Sequence, residues 1–375
     1  FNMGVPTYAA MAATVAFTVV HSLVGLSAKA RAAAGVATSR RPLVLAGLAA
    51  RGHSVRLLAR RGSPLASEAR ARGLDTVEVP AGPEASPALL LAVARAARTF
   101  RPEIVYAGDA RGHGAAVFGR AAADAPLVVH RRVVFAPGRS PISRLKYRAA
   151  ARYLAVSHAV AASLGDAGIP SGKIALVPDG LPPAAFRENV APPPPPFRLV
   201  HAGAFDGLKG QDVVVETLAR LAAGGIDAHA LFLGAGPARA GVEALAASRG
   251  VADRCTFAGQ VEDAGERFAA SHLMLLPSAS EGGPLVLVEA MAAGCPVVGH
   301  DVGGSREMVA DGAAGVLVPT LELSAWEEAV RGILLDAARR ARLVEAGRAA
   351  AAERRIEKTV ARVEAELLRT LGETP

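Results

Sequence analysis

The segment LMLLPSASEGGPLVLVEAMAAGCPVVG, residues 273–299, contains a complete strand–helix–strand pattern. The apolar run Leu273–Leu276 predicts a buried strand, and Pro284–Ala293 predicts a helix with proline at its first position and Gly294 after its end. A second apolar run, Pro296–Gly299, predicts the next strand. Because two strands joined through a helix need a crossover connection, they lie parallel in one sheet. The segment therefore predicts an α/β fold.

The same alternation continues on the amino-terminal side of this segment. Short apolar runs are separated by longer amphipathic stretches, which is typical of a doubly wound parallel sheet with helices on both faces. The predicted strands are Phe197–Ala202, His229–Leu233 and Cys255–Ala258, and the predicted helices are Gly210–Ala223, Ala238–Arg249 and Asp263–Ala270.

The first half of the chain repeats the pattern less regularly. Its clearest helix is Arg41–Ala50, which ends before a strand at Ser54–Leu58. Further strands are predicted at Thr14–Val20, Thr76–Val79, Ile104–Tyr106, Leu127–His130 and Tyr153–Val156. Two α/β domains in succession predict a cleft at the carboxyl ends of both sheets, where such folds bind ligands.

Charge and proline content divide the chain near residue 190. Residues 1–190 contain 24 Lys and Arg against 10 Asp and Glu, a net charge of +14, whereas residues 191–375 contain 18 against 24, a net charge of −6. The run APPPPP, residues 191–196, can neither continue a helix nor join a sheet, so it predicts a stiff linker. We expect domains at 1–190 and 191–375, with the last helices packing back on the first domain.

Composition narrows the class of protein. With 51% hydrophobic and 20% charged residues, the chain is globular rather than disordered. The longest low-polarity run, Tyr8–Val20, is shorter than a membrane-spanning helix of about 20 residues, and no basic residue precedes Lys29 as a signal peptide would require. Two cysteines cannot form a disulfide framework. We therefore expect a cytoplasmic protein.

The polar loop after Leu276 has the composition of an anion site. Glu281 lies at its tip, Gly282 and Gly283 let the backbone approach a ligand, and the free N–H groups at the helix start attract phosphate. Glu289 lies about a turn and a half into the helix among apolar residues, where a carboxylate needs a partner. The alternative is that Glu281 only caps the helix and Glu289 is a surface residue.

Two further glycine-rich turns follow predicted strands. Residues 203–210, GAFDGLKG, carry one lysine, Lys209, which is either a surface charge or a counter-ion for phosphate. Residues 234–237, GAGP, follow the next strand, but Arg239 stands where the dinucleotide fingerprint needs its third glycine. A conventional NAD site is therefore not expected in this turn.

These motifs, in this order, resemble the donor-binding domain of the family 4 retaining glycosyltransferases of the GT-B fold. The matching features in residues 198–320 are Lys209-Gly210, the Gly234–Pro237 loop, Phe257–Gly259, Pro277-Ser278, Glu281 and Glu289 with seven residues between them, Ala290–Val298, and Val302–Gly304 with Glu307. The first half resembles the acceptor domain of that family more weakly, through Ala34–Thr38, Arg51–Val55, Arg101–Val105, Val156-Ser157 and Pro178–Gly180. The resemblance implies two doubly wound, Rossmann-like domains that face each other across a cleft.

The resemblance also implies a role for each residue of the donor site. Glu281 contacts the transferred sugar, Glu289 the nucleotide ribose and Lys209 the diphosphate of a UDP-, GDP- or ADP-linked sugar. The other implied donor-binding residues are Gly282, Gly283, Pro284, Leu285, Gly234, Gly236, Ala204 and Gly35. Ala204 stands where the family often has arginine, and Ala34 stands where it has a second glycine, so two of the expected diphosphate contacts are absent or altered. Lys209 would therefore neutralise more of the negative charge of the diphosphate than it does in the family.

The implied reaction is a glycosyl transfer that retains anomeric configuration and needs no metal or other cofactor. The sequence contains no Asp-x-Asp motif, so a metal-bridged diphosphate has no obvious ligands. The positive charge would come instead from Lys209 and from the backbone amides of Gly283–Leu285.

A histidine that touches the sugar in the family should fall near Arg132, but His130 lies two positions earlier. Since residues two apart on a strand share a face, either His130 or Arg132 is a candidate catalytic residue. The alternative for His130 is a buried structural histidine.

A basic cluster in the first half marks the candidate acceptor side. It comprises Arg131, Arg132, Arg139, Arg144, Lys146, Arg148 and Arg152. The cluster is either ordinary solvated charge or a surface for anionic lipid or a phosphorylated acceptor. The expected acceptor is a saccharide or lipid-linked sugar of bacterial cell-envelope or lipopolysaccharide synthesis, met at the inner face of the membrane. Nucleic acid is not expected, because few aromatic residues lie near the cluster.

Two other functions fit the same fold. A sugar-nucleotide 2-epimerase of GT-B architecture would break the same bond without a second sugar, and a non-catalytic GT-B scaffold would use only its basic half at a membrane. The presence of Glu281 and Glu289 argues against a scaffold, whereas Ala204 and the missing family histidine argue mildly for it.

Overall fold

Two parallel β-sheets, one in each half of the chain, form the frame of the protein in this computed structural model. The structure describes residues 41–119, 125–134, 138, 140–187, 194–261 and 263–372, together with the backbone of residues 16–20. The strand pairs of both sheets are parallel, as the crossover connections require. The predicted α/β class is therefore confirmed.

Within the described residues, the first sheet has seven strands in the order β3-β2-β1-β4-β5-β6-β7. They are β1 (Ala16–Val20), β2 (Ser54–Arg60), β3 (Asp75–Val79), β4 (Ile104–Ala107), β5 (Leu127–Arg131), β6 (Arg152–Ala155) and β7 (Ile174–Leu176). The strand order reverses beside β1, and doubly wound sheets bind ligands at the carboxyl ends of the strands at such a reversal.

The second sheet has six strands in the described part of the chain, in the order β10-β9-β8-β11-β12-β13. They are β8 (Phe197–Ala202), β9 (Ala228–Leu233), β10 (Cys255–Gly259), β11 (Leu273–Leu276), β12 (Val297–His300) and β13 (Val316–Val318). Because β8 and β11 are parallel neighbours, the loops that follow them meet at one edge of the sheet.

Helices cover both faces of each sheet. In the first half they are α1 (Arg41–Ala50), α2 (Pro64–Ala71), α3 (Pro87–Phe100), α4 (Ala110–Phe118), α5 (Pro141–Arg148) and α6 (His158–Asp166). In the second half they are α7 (Gln211–Ala223), α8 (Arg239–Ser248), α9 (Ala264–Ala269), α10 (Leu285–Ala292), α11 (Ser305–Met308), α12 (Leu323–Leu334), α13 (Ala337–Ala352) and α14 (Ile356–Leu371). Among the helices described, none is both long and apolar enough to cross a bilayer.

Neighbouring residues of one strand point to opposite faces of the sheet and belong to different apolar clusters. Both faces of each sheet are therefore covered. Leu57 and Leu58 on β2 are both fully buried, but they belong to two separate clusters. Val297 and Val298 on β12 are divided in the same way. Strands buried on both faces are continuous apolar runs, which is the pattern from which they were predicted.

The last helix, α14, contributes to the core of the first half. Val363 and Leu367 are fully buried there, in the same cluster as Leu45 of α1. The two helices lie so close that a side-chain carbon on Gly47 would lie 2.5 Å from Val360 Cγ2. The carboxyl-terminal segment therefore covers a face of the amino-terminal sheet.

Most predicted element boundaries agree with the structure to within about two residues. The ranges of α1, β8 and β11 coincide with the predicted ones. The predictions lacked β7 and β13, which are three residues long and lie at sheet edges, because so short a run shows no periodicity. Residues 14 and 15 of the predicted first strand and 191–193 of the predicted linker lie outside the described residues.

Candidate active site

The predicted donor loop lies between β11 and helix α10, at the carboxyl end of the strand. The helix begins at Leu285, and Pro284 is the residue that precedes it (φ −72°, ψ 88°) rather than its first residue as the sequence suggested. Pro284 is buried, and no side chain caps this helix start. The first N–H groups of α10, near Gly283 and Leu285, are therefore available to an anion.

Lys209 and Glu281 form an ion pair where the loops after β8 and β11 meet. Lys209 Nζ donates to Glu281 Oε1 at 2.8 Å, and the Glu281 side chain is only 10% exposed. The Lys209 side chain is 26% exposed, so solvent reaches the cation of the pair. The structure thus brings together a cation and a carboxylate to which the family resemblance assigns contacts with the diphosphate and the sugar.

Glu289 lies in the second turn of α10 and is partly buried. Its neighbours Val288 and Ala290 are fully buried in the second half. Glu281 and Glu289 therefore occupy different places, one in the loop before the helix and one within the helix. This separation agrees with contacts to two different parts of one long ligand.

The second glycine-rich turn packs directly on the first. Gly234 has a φ of 129°, and a side-chain carbon there would lie 2.0 Å from Gly203 O. A side-chain carbon on Gly236 would lie 2.4 Å from Phe205 O, and Phe205 N donates to Ala235 O at 3.1 Å. Both glycines are thus required by contact between the two turns, and any contact they make with a donor is an additional role.

Two polar side chains that the sequence analysis did not select lie beneath the Lys209 turn. Gln211 Nε2 donates to Ala204 O at 2.9 Å and so fixes the turn where the family often has arginine. His201 Nδ1 donates to Leu275 O at 2.9 Å, while its buried Nε2 has no hydrogen-bond partner in the described structure. Burial lowers the pKa of His201 to about 4. The hydrogen bond to Leu275 acts to raise this pKa, and the positive charge of Lys209 acts to lower it. The neutral ring therefore directs an acceptor nitrogen into the protein, and a polar residue in the apolar strand FRLVHA is its sequence signal.

His130 belongs to a buried network within the first half. Its side chain has 0% exposure, with Nδ1 at 2.5 Å from Tyr106 Oη and Nε2 at 3.2 Å from Val177 O. Arg132 forms a bidentate pair with Asp179 at 2.7 and 2.9 Å. Burial acts to lower the pKa of Arg132, but Asp179 and Tyr106 together raise it above its ordinary value. This geometry favours the structural alternative for His130, and its contact with a sugar stays a prediction.

The basic cluster does not form one exposed surface, which corrects the sequence-based interpretation. Arg131 and Lys146 are each 7% exposed. Arg131 Nη1 donates to Tyr147 Oη at 2.6 Å, and Lys146 Nζ pairs with Glu84 at 2.5 Å. Arg144 is exposed on α5. Arg131 and Lys146 are therefore not part of an exposed basic surface, and the contact of the cluster with a membrane or an acceptor stays a prediction.

Gly35 and Arg139, two of the predicted site residues, lie outside the described residues, as does Ala34, which precedes Gly35. Their roles stay predictions. In the ranges that the structure describes, no group of three or more His, Cys, Asp or Glu side chains is placed to hold a metal ion. On the predicted donor side, the structure describes Lys209, Glu281 and Glu289 together with the turns around them.

Comparison with protein families matches both halves of the chain. Residues 34–180 match the glycosyl transferase 4-like domain, and residues 184–350 match the glycosyl transferases group 1. The two ranges together cover most of the sequence. The chain belongs to the family 4 glycosyltransferases. The resemblance recognised in the donor and acceptor motifs is thereby confirmed.

This glycosyltransferase is similar to curated enzymes over part of their length. It is 36% identical to D-inositol 3-phosphate glycosyltransferase from Xylanimonas cellulosilytica over 172 residues, which are 44% of this chain and 40% of that protein. The chain spans about two fifths of the length of the curated relatives it matches.

Solved structures match the glycosyltransferase over nearly its whole length. A glycosyltransferase from Rickettsia africae has a TM-score of 0.79 at 16% identity and covers 96% of this chain and 98% of its own. The Anabaena protein HepE in complex with UDP and glucose has a TM-score of 0.78 at 19% identity, covering 95% and 99%. These likenesses show the fold, and they confirm the predicted GT-B architecture with two Rossmann-like domains.

Proposed function

We propose that this glycosyltransferase moves a sugar from a nucleotide-sugar donor to a hydroxyl group of a saccharide or lipid-linked acceptor, retaining configuration and using no metal. The observation that carries the proposal is the Lys209–Glu281 pair beside the uncapped start of α10. A cation next to free N–H groups suits a diphosphate, and a carboxylate suits sugar hydroxyls. HepE, which has the same fold, binds UDP and glucose, and this supports the donor class.

In the proposed reaction, the bond between the anomeric carbon and the diphosphate oxygen breaks, and the oxygen leaves with the electron pair. Lys209 Nζ and the N–H groups near Gly283 and Leu285 take up the charge that develops there, as preorganised donors do in other transfers. The acceptor oxygen bonds to the anomeric carbon from the same face, and its proton passes to the departing diphosphate. While the donor is bound, the Glu281 carboxylate accepts a hydrogen bond from a sugar hydroxyl instead of from Lys209.

The first experiment identifies the nucleotide. We expect one of UDP, GDP and ADP, or its sugar conjugate, to raise the melting temperature, since a ligand at 100 times its Kd adds about 2.7 kcal/mol of stability. Glu289→Ala is expected to reduce this shift, because tenfold weaker binding leaves about 1.4 kcal/mol of stabilisation at the same ligand concentration. Glu345→Ala, a change of an exposed glutamate on α13, is the matched control. If no nucleotide stabilises the wild type, the donor proposal is wrong.

The second experiment follows transfer itself. The stabilising sugar nucleotide is incubated with a panel of saccharide and lipid-linked acceptors, and the products are analysed by mass spectrometry and by NMR of the new anomeric centre. We expect the donor configuration to be retained and the rate to be unchanged by a chelator. An inverted product or loss of activity with the chelator would contradict the mechanism, and epimerised donor without acceptor would identify a 2-epimerase.

The acceptor side suggests contact with an anionic membrane, at the inner face if the acceptor is a cell-envelope precursor. Helix α5 exposes two apolar side chains, Ile142 (67%) and Leu145 (61%), beside the exposed arginines Arg144 and Arg148. Apolar side chains flanked by arginine fit the boundary between lipid tails and acidic headgroups. We therefore propose α5, rather than the whole basic cluster, as the membrane-facing element.

This contact is tested by sedimentation with vesicles. We expect binding to vesicles that contain phosphatidylglycerol, weaker binding at high salt, and loss of binding in the Ile142→Ser/Leu145→Ser variant. The control is Leu91→Ser/Leu335→Ser, which alters two leucines that are 52% and 60% exposed elsewhere. Equal binding by the two double variants would reject α5 as the contact.

A further inference from the structure

Contacts between the two halves converge on the turn formed by residues 281–283. Ser157, which follows β6, donates its hydroxyl hydrogen to Gly282 O at 2.5 Å. The same Oγ accepts from Val160 N at 3.2 Å, so Ser157 is also the N-cap of helix α6. Ser157 is fully buried. One hydroxyl group thus caps a helix of the first half and holds the donor turn of the second.

The turn can approach the first half because it contains glycine. A side-chain carbon on Gly282 would lie 2.5 Å from Arg132 O, which is closer than non-bonded atoms approach. One on Gly283 would lie 3.6 Å from Val156 Cγ2, an ordinary contact distance. The residues that follow β5 and β6, which are neighbouring strands, therefore both lie against this turn.

The second half supports the same turn through its own backbone. Gly304 N donates to Glu281 O at 3.2 Å. A side-chain carbon on Gly303, whose φ is 55°, would lie 1.8 Å from Glu281 O, so this support requires glycine. Glu281 is therefore held at its carbonyl group by Gly304 and at its carboxylate by Lys209.

Glu307 forms a second contact between the halves. It lies on the short helix α11, which directly follows Gly304. Its Oε1 accepts from His158 N at 2.6 Å, and its Oε2 lies 3.0 Å from His158 Nδ1. His158 begins helix α6, next to its cap Ser157. Adjacent groups at one helix start therefore bind both the donor turn and the segment that supports it.

We infer that Ser157 and Glu307 are positioning residues that couple closure of the two halves to the placement of Glu281. The inference rests on the proposed function, because it concerns how Glu281 meets the sugar. Separation of the halves would break both contacts together and leave the turn supported only by its own half. The nucleotide contacts proposed for Lys209 and Glu289 belong to the second half and would survive such a separation.

Ser157→Ala and Glu307→Ala test the two contacts one at a time. Each is expected to lower kcat by about tenfold to a hundredfold, because a small displacement of a reacting group is costly. The KM for the donor should change by less than about twofold, since the nucleotide contacts are intact. Ser157→Thr keeps the hydroxyl group and should restore most of the rate.

Each variant has a control with the same local role. Ser63→Ala removes the N-cap hydroxyl of α2, which accepts from Ala66 N at 3.3 Å and has no contact with the second half among the described contacts. Glu216→Ala breaks a pair with Arg249 inside the second half. If Ser157 only caps its helix, Ser157→Ala and Ser63→Ala will have the same kcat, and this result overturns the inference.

Small-angle scattering, with a saturating concentration of whichever of UDP, GDP and ADP stabilises the wild type, gives a readout that does not depend on turnover. The radius of gyration of Ser157→Ala and Glu307→Ala should exceed that of the wild type and of both controls. If the wild type transfers no sugar but this difference persists, the proposed function fails and the coupling of the halves stands. Equal radii together with equal kcat values overturn the coupling.

Discussion

Lys209 and Glu281 lie 72 residues apart in the sequence, yet their side chains form a 2.8 Å ion pair at the carboxyl edge of the second sheet. In the proposed function, a donor would exchange this ion pair for two contacts, a phosphate on Lys209 and a sugar hydroxyl on Glu281. The two residues of the pair can therefore be tested separately.

Removal of the cation should act on the chemical step. Lys209→Met is expected to lower kcat by about 10²–10³-fold, the loss typical of one preorganised donor at a developing charge. Steady-state kinetics with the identified donor would measure it. Lys358→Met, which removes an exposed lysine paired with Glu353, is the control and should keep the wild-type rate. Similar kcat values for both variants would contradict the role of Lys209.

Substitution of the two glutamates should have different effects, one on nucleotide affinity and the other on turnover. Glu289→Ala is expected to weaken nucleotide binding by about tenfold or more, because a hydrogen bond to a charged group contributes about 1.5–3 kcal/mol. Glu281→Ala should keep nucleotide affinity and lose turnover. Calorimetric titration with the nucleotide, followed by kinetics, distinguishes them. Unchanged behaviour of both variants would remove the assignment.

Buried His201 should make the fold sensitive to acid. Burial holds its pKa at about 4, below the value of about 6.5 in the unfolded chain, so only the unfolded state gains a proton between these values. The contribution of His201 to folding stability is complete above pH 6.5 and falls as the pH drops towards 4, by about 2 kcal/mol between pH 7 and pH 5. Buried His113, whose pKa is lowered by burial to about 3, adds a loss of its own that all three proteins share. Urea unfolding at both pH values should show a smaller loss for His201→Asn. His229→Asn, at a side chain that is 45% exposed, should behave as the wild type, and an equal loss in all three would refute the assignment.

The last helix should stabilise the first half. Leu367→Ala opens a cavity at a fully buried position and is expected to cost about 2–5 kcal/mol. Hydrogen exchange should show faster exchange in α1, although α1 lies more than 300 residues earlier. Leu335→Ala, at a position 60% exposed, should have little effect. Protection of α1 that does not change in Leu367→Ala would contradict this packing.

The strands and helices could be predicted because each has its own local pattern. Apolar runs such as Leu273–Leu276 predicted the strands that are buried on both faces, and glycine-rich loops after them located Lys209 and Glu281. The strand order of the second sheet, which makes β8 and β11 neighbours, was not accessible from periodicity. The ion pair between the two loops therefore became visible only in the structure.

Ser157 and Glu307 stand in motifs that resemble the family, but nothing in those motifs indicated that the two residues make contacts across the two halves. Ser157 and Glu307 lie 150 positions apart and have ordinary roles when each is considered in its own half. The exposure of Arg131 and Lys146 was predicted wrongly. The basic cluster was interpreted as exposed, whereas the fold buries these two residues. Their partners, Tyr147 and Glu84, show that one local count of charge cannot predict exposure.

The position of α14 has a consequence for how this chain is made. During translation the strands of the first sheet leave the ribosome early, whereas residues 356–371 follow only after the whole second half. Until then Leu45 and Leu48 of α1 lack the helix that shields them in the finished protein. Nascent intermediates with an unshielded apolar face are prone to aggregate, so chaperone capture during synthesis should favour this stage.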